Sequence, residues 1–291
     1  MRVTFLGTGT SHGVPMIGCR CATCQSDDAR DRRLRPSIFV EVDGGPAVLV
    51  DTGTDLRQQA LTYGVSRVDA ILYTHSHADH IMGLDEVRRF NVVQGGPITA
   101  FADRETADSV RRSFHYIFDA PAQKGGGVPQ IEFQIIEGPF QVAGLDVVPV
   151  RLFHGRLPVL GFRFGSFAYL TDCNRIPDES WPLLQNLDVL VLDALRHRPH
   201  PTHFSVAGAL AVVERLAPRR ALFTHICHDL PHAATNAALP AGVELAYDGL
   251  RIAIDDRAIR KVPKVPKVPQ VPQVPQVPQV PKVPKRVPDV H

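Results

Sequence analysis

Apolar residues fall in short runs through the first 254 positions, each closed by glycine, proline, aspartate or a polar cluster. β-Branched runs of that length read as strands. The pattern predicts strands at Val3–Leu6, Ile38–Val42, Ala47–Val50, Ala70–Tyr73 and Ile98–Phe101. Further strands are expected at Phe133–Ile136, Leu145–Arg151, Leu160–Phe164, Ala168–Leu170, Val189–Leu192 and Ala221–Phe223. Helices are expected over Thr54–Tyr63, closed by Gly64, and over Leu84–Phe90, Arg104–Phe114 and Ser205–Leu216, with Ser205 as N-cap. Gly125-Gly126-Gly127 marks a loop. Strand runs that give way to strand–helix alternation point to an α/β fold, a mixed αββα sandwich with its reactive groups at strand ends along one edge.

The last part of the chain follows another rule. From Val262 a three-residue unit, Val-Pro-Lys or Val-Pro-Gln, repeats eight times. Proline at every third position blocks helix and central strand, so residues 258–291 read as an extended or disordered Pro-rich tail behind a folded domain at 1–257. The tail distorts the charge. The 291-residue chain has a formal net charge of +2, yet the stretch from Arg260 carries seven Lys and Arg against Asp289, which leaves the body at −4. A mildly acidic body argues against broad nucleic-acid binding. The tail reads as a passive solubilising extension, with a proline-rich ligand for an unknown partner as the other reading. No apolar stretch reaches the roughly 20 residues of a membrane helix, and Met1–Gly7 reads as a strand rather than a secretory signal, so the expected compartment is cytoplasmic.

Histidine and cysteine carry the chemistry. His75-x-His77-x-Asp79-His80 places four ligand-type side chains in six residues, straight after an apolar strand. His154, Asp172 and His225 each follow a later apolar run, where strand ends would bring them to the same edge. Imidazole with carboxylate suits a divalent ion such as Zn²⁺ or Mn²⁺. Separately, Cys19-x-Cys21-x-x-Cys24 offers three thiolates, and a tetrahedral structural zinc wants a fourth ligand, with His228 and Cys227 both in reach of that role. An odd cysteine count, five, argues against a disulfide framework. Cys173 reads as a packed thiol, His12 as an exposed loop histidine, and Arg196 and Arg198 as a solvated loop.

These motifs resemble the metallo-β-lactamase superfamily over nearly the whole body, Met1 to about Ile254. The resemblance implies that His75, His77 and His154 hold one metal, that Asp79, His80 and His225 hold a second, and that Asp172 bridges the two. Asp51, in Val50-Asp51-Thr52-Gly53, matches an acidic residue that orients ligands from behind the site. Within the superfamily, the Cys-x-Cys-x-x-Cys insertion after Gly7-Thr8-Gly9-Thr10-Ser11-His12-Gly13-Val14-Pro15, paired with His225-x-x-His228, is similar to the phosphoribosyl 1,2-cyclic phosphate phosphodiesterases of the C–P lyase pathway (PhnP-like). That similarity favours His228 as the fourth zinc ligand. It makes His203, in Thr202-His203-Phe204-Ser205, a general acid or phosphate-binding group, with Asp79 the other catalytic residue.

The resemblance therefore implies a di-metal phosphodiesterase acting on a small phosphorylated substrate, with two catalytic divalent ions (Mn²⁺ or Zn²⁺) and one structural Zn²⁺. Two such ions lower the pKa of a bridging water, and the resulting hydroxide attacks an electrophilic centre. A tRNA 3′-processing endonuclease and an accessory or binding protein of cofactor biosynthesis are the alternative readings on the same scaffold. Homodimers are common in the resembling family.

Overall fold

The computed structural model describes residues 1–119 and 127–255. The Gly125-Gly126 part of the expected loop and the tail at 258–291 lie outside the described residues.

Six strands come first: β1 (Arg2–Gly7), β2 (Ser37–Glu41), β3 (Ala47–Val50), β4 (Ala70–Leu72), β5 (Ile98–Ala102) and β6 (Ile131–Ile135). Then follow β7 (Phe140–Val142), β8 (Leu145–His154), β9 (Leu157–Phe164), β10 (Phe167–Leu170), β11 (Val189–Asp193), β12 (Arg220–Thr224), β13 (Val243–Leu245) and β14 (Arg251–Ala253). They form two seven-stranded sheets among the described residues, in the orders β14-β1-β2-β3-β4-β5-β6 and β13-β12-β11-β10-β9-β8-β7. Each sheet is antiparallel at one side and parallel at the other. The change falls at β3 in the first and at β10 in the second.

Alternation along the strands builds the layers. In β3, Val48 and Val50 point between the sheets while Ala47 and Leu49 point outward. In β11, Val189 and Val191 face inward, and Leu190 and Leu192 outward. Both faces are apolar because both are covered, as parallel strands require. The inner core joins Phe5, Val40, Leu72, Phe162, Phe164, Tyr169 and Leu222. Outside the first sheet pack α1 (Leu56–Tyr63), α3 (Val87–Gln94) and α4 (Arg104–Ser113), with a single turn, α2 (Ala78–Ile81), before α3 and another, α5 (His115–Phe118), after α4. Outside the second sheet packs α6 (Val206–Leu216); α7 (His232–Ala238) precedes β13. Four layers, helices–sheet–sheet–helices, give the expected αββα sandwich.

Local signals explain most boundaries. Gly64 closes α1 at φ 74°, a left-handed conformation that glycine takes at little cost. Ser205 caps α6 by accepting from Gly208 N at 3.2 Å. Two helix starts differ from the sequence reading. α1 begins at Leu56 rather than Thr54, because the carboxylate of Asp55 turns to Arg35 and accepts from its N–H at 2.8 Å. The helix expected over Leu84–Phe90 begins at Val87 and runs to Gln94, after a 3₁₀ turn at Leu84–Glu86. Gly83 N donates to Thr52 O at 2.8 Å, and that contact pins the chain before α-helical geometry can start.

Candidate metal centre

Strand ends deliver the reactive groups to one edge, as open α/β sheets generally do. Asp51 follows β3, and Thr74-His75 comes two residues after β4. His154 ends β8, Asp172 stands two residues after β10, Asp193 ends β11, and His225 follows β12. Asp79 and His80 lie on α2. Asp51, Asp172 and His225 adopt positive φ of 64°, 50° and 57°. Each such non-glycine residue costs of the order of 1–3 kcal/mol and persists only where its surroundings over-determine it.

Asp172 is the centre of the cluster. One ligand atom each from Asp79, His80, Asp172 and His225 lies within 4.8 Å of the others, and so do those of His75, His77 and Asp172, and of His154, Asp172 and His203. Asp172 Oδ1 stands 3.4 Å from His80 Nε2 and 3.2 Å from His225 Nε2, while its Oδ2 stands 3.8 Å from His75 Nε2. The two oxygens thus face two different sets of imidazoles. His77, the exposed member, packs its ring 5.1 Å from that of His154.

The donor set fits divalent cations. Nε2 of His75, His80 and His225 is buried in each case without a hydrogen-bond partner among the described residues, a costly arrangement unless an ion takes that place. Groups behind the site fix the ring tautomers. Asp51 accepts from His80 Nδ1 at 2.7 Å, from Thr74 N at 2.8 Å and from Thr74 Oγ1 at 2.8 Å. Thr74 Oγ1, having given its proton to Asp51, accepts from His75 Nδ1 at 3.0 Å. His154 Nδ1 donates to Thr202 O at 2.9 Å. The rings of His75, His80 and His154 therefore turn Nε2 toward the cluster. For His75 and His154 the electrostatics agree. Burial pushes the His75 and His154 imidazoles down, His154 to about 4, so both favour the neutral, ligating form. Burial works against protonation of His225 too, yet Asp172, Asp79 and Asp193 push it up to about 9. The negative field that would hold a proton there equally favours a cation.

His203 stands beside this cluster. Its Nδ1 donates to Asp193 Oδ2 at 2.7 Å, and its ring stacks on His225 with centroids 4.6 Å apart and planes 12° apart. Asp193 is fully buried and also accepts from Cys173 N at 2.9 Å. His203 and His225 line a cleft of about 290 Å³, whose walls also include Ser11, His12, Arg196, Arg198 and His200.

A second cluster touches the same cleft through His228. His228 Nδ1 stands 3.2 Å from Cys19 Sγ, 3.4 Å from Cys21 Sγ and 3.7 Å from Cys24 Sγ. A tetrahedral zinc with ordinary bond lengths puts its nitrogen and sulfur ligands about 3.6 Å apart, so these residues fit the ion. His228 Nε2 lies 3.6 Å from Asp229 Oδ1. Of the two sequence candidates the structure brings in His228. The Cys227 sulfur is turned instead to Asp229 N, at 3.3 Å.

The sequence profile of the beta-lactamase superfamily domain matches residues 47–226, which run from β3 through the metal motif to His225. The chain belongs to the metallo-β-lactamase superfamily. Within it the protein is PhnP-like: a crystal structure of a diphosphatase from the PhnP family is 46% identical, with a TM-score of 0.81 over 87% of this chain and 98% of that one. A curated octanoyltransferase of Porphyromonas gingivalis is 37% identical over 262 residues, or 89% of this chain, and the chain spans 53% of that protein's length. The Zn²⁺-bound PqqB of Methylobacterium extorquens shares the fold at 22% identity, with a TM-score of 0.73 over 87% of this chain and all of that one.

In this superfamily member every residue expected at the catalytic metals is brought to one edge, with Asp51 directly behind His80. Asp193 is the addition. The sequence shows it only as the end of a buried strand, and the sole signal was that Asp172 and His225 occupy the same kind of position. His12, Arg196 and Arg198, read as solvated loop residues, line the cleft. Cys173 is a buried thiol. No helix among the described residues is long and apolar enough to cross a membrane.

Proposed function

We propose that the protein is a di-metal phosphodiesterase acting on a small cyclic phosphate of the phosphoribosyl 1,2-cyclic phosphate kind. Superfamily membership, the likeness to a diphosphatase and the buried His/Asp clusters together support a metal-dependent hydrolase. The observation that carries the narrower reading is His203, held by Asp193 against the His/Asp cluster and lining a small cleft with arginine and histidine walls. That arrangement suits an anionic small molecule whose departing oxygen needs a proton.

In this reading His75, His77 and His154 hold one divalent ion, Asp79, His80 and His225 the other, and Asp172 both. Bound ions of this kind supply activated water at neutral pH and positive charge against developing oxyanions. The protein's own groups do the rest. Asp51 and Thr74 keep His80 and His75 in the ligating tautomer. Asp193 keeps Nδ1 of His203 occupied, so Nε2 is the nitrogen that gives its proton to the leaving oxygen. Arg196 and His200 offer charge and hydrogen bonds to phosphate oxygens. Cys19, Cys21, Cys24 and His228 hold a structural zinc.

Purified protein replete with Mn²⁺ or Zn²⁺ is expected to hydrolyse bis(p-nitrophenyl) phosphate and ribose 1,2-cyclic phosphate. No turnover of any phosphodiester would defeat this reading. A second reading, cleavage of a diphosphate linkage, is favoured by the 46% identity to a diphosphatase of the PhnP family. Turnover of diphosphate-linked compounds without phosphodiesters selects it. About three metal ions per chain are expected; about one zinc and nothing else would point to a binding or accessory role.

A further inference from the structure

Arg33 is a wholly buried cation. Its Nη1 donates to Cys227 O at 2.7 Å, and its Nη2 to Leu230 O at 2.6 Å and to Asp31 Oδ1 at 2.8 Å. Asp31 Oδ1 also accepts from His232 N at 2.8 Å. The ion pair thus grips the 227–232 turn at three backbone points. His228 sits inside that turn, and His225 lies two residues before it. The backbone of Arg33 faces the other way: it exchanges both hydrogen bonds with Val14, each 2.8 Å, just ahead of the cysteine loop. One residue therefore ties the segment entering Cys19–Cys24 to the turn presenting His228.

Ile226 N also donates to Thr8 O at 2.8 Å, but that bond lies ahead of both the cysteine loop and His228. The cysteine loop has no helix or strand between Gly7 and the 3₁₀ turn at Ala29–Asp31, and Ile17 within it is fully exposed. Apolar packing is thin there, so the relative placement of three thiols and one imidazole depends on polar anchors. A buried guanidinium is costly unless all its donors are used. Here four of its N–H groups meet one carboxylate and the carbonyls of Cys227, Leu230 and Arg30. A lysine, with one compact ammonium group, cannot span Cys227 O and Leu230 O in the same fork.

We propose that Arg33 is a positioning residue that preassembles the thiol–histidine zinc site and, through the same turn, links the integrity of that site to the placement of His225. The inference rests on reading Cys19, Cys21, Cys24 and His228 as a zinc site. Its test is zinc release from the full-length, zinc-loaded protein to a chromogenic chelator, in wild type, R33K, R33M and D31N, each shown by circular dichroism and urea melts to be folded. Cys21→Ser identifies the phase that belongs to the thiol site, as the one it removes. That phase is expected to run at least tenfold faster in R33K and R33M, and at an intermediate rate in D31N, which keeps both carbonyl contacts. A general loss of stability would not single out this phase in protein that remains folded. If R33M fails to fold, R33K and D31N carry the test. Unchanged release in both overturns the role of Arg33. A wild-type protein with no phase that Cys21→Ser removes overturns the zinc site itself, and the inference with it.

Discussion

Asp193 Oδ2 lies 2.7 Å from Nδ1 of His203, and that contact crosses from the end of a central strand of the second sheet to the loop that leads into α6. A buried carboxylate with this partner fixes both the tautomer and the direction of the ring. D193N is expected to lower kcat by about 10–100-fold with metal content unchanged. His203→Ala should cost about 10²–10⁴-fold. Because Asp193 acts through His203, the double variant should be no slower than His203→Ala alone. Steady-state kinetics beside metal analysis decides; additive losses would separate the two residues.

Asp51 accepts three hydrogen bonds, from His80 Nδ1, Thr74 N and Thr74 Oγ1. An asparagine offers a single acceptor oxygen and would turn N–H groups toward donors. D51N should weaken metal binding at the His/Asp cluster about 10–100-fold while leaving binding at the thiol–histidine cluster unchanged. Competition against a chelator of known affinity reads this directly, and equal retention in both proteins would count against it.

Gly83 has no room for a side chain, since a Cβ there would run into the carbonyl of Gly53. At Gly53 a Cβ would meet the carbonyl of Asp79. The segment bearing Asp79 and His80 thus lies directly on the one bearing Asp51. G83A should destabilise by about 1–3 kcal/mol, seen as a lower urea midpoint at constant slope. A wild-type midpoint would mean that this contact has slack.

Asp248 is half-buried between Thr8 Oγ1 and Leu34 N, which donate at 2.7 Å to its two oxygens. Burial pushes its carboxyl up to about 7 despite these donors. A folded value above the unfolded one means that the neutral acid is favoured in the fold. Its contribution is complete below about pH 4 and is lost as pH rises through 7. D248N does not titrate, so its stability deficit against wild type should be larger at pH 5 than at pH 8. A deficit that grows with pH would reverse the sign.

Much of this was legible in the sequence because the fold places chemistry at strand ends. Asp51, His154, Asp172 and His225 each follow an apolar run, and a run of buried residues is what periodicity detects best. His75, His77, Asp79 and His80 are compact enough to stand out alone. Asp193 was not legible as a partner: ten residues separate it from His203, and only the course of the loop between them closes the gap. Nor does pattern separate Cys227 from His228. Adjacent residues face opposite ways here, and the turn that decides between them is held by Arg33, distant in sequence. The edge strands β7, β13 and β14 are too short for a hydrophobic period. The late start of α3 depends on a backbone contact between Gly83 and Thr52 that no local rule records.

The left-handed backbone at Asp51, Asp172 and His225 narrows what can ever replace them. Asparagine, aspartate, histidine and glycine tolerate that conformation, whereas β-branched residues pay heavily for it. A laboratory campaign to retune the ion preference of this centre therefore has a small alphabet at those positions. It will find more room at His75, His77, Asp79, His80 and His154, whose main chain carries no such restriction.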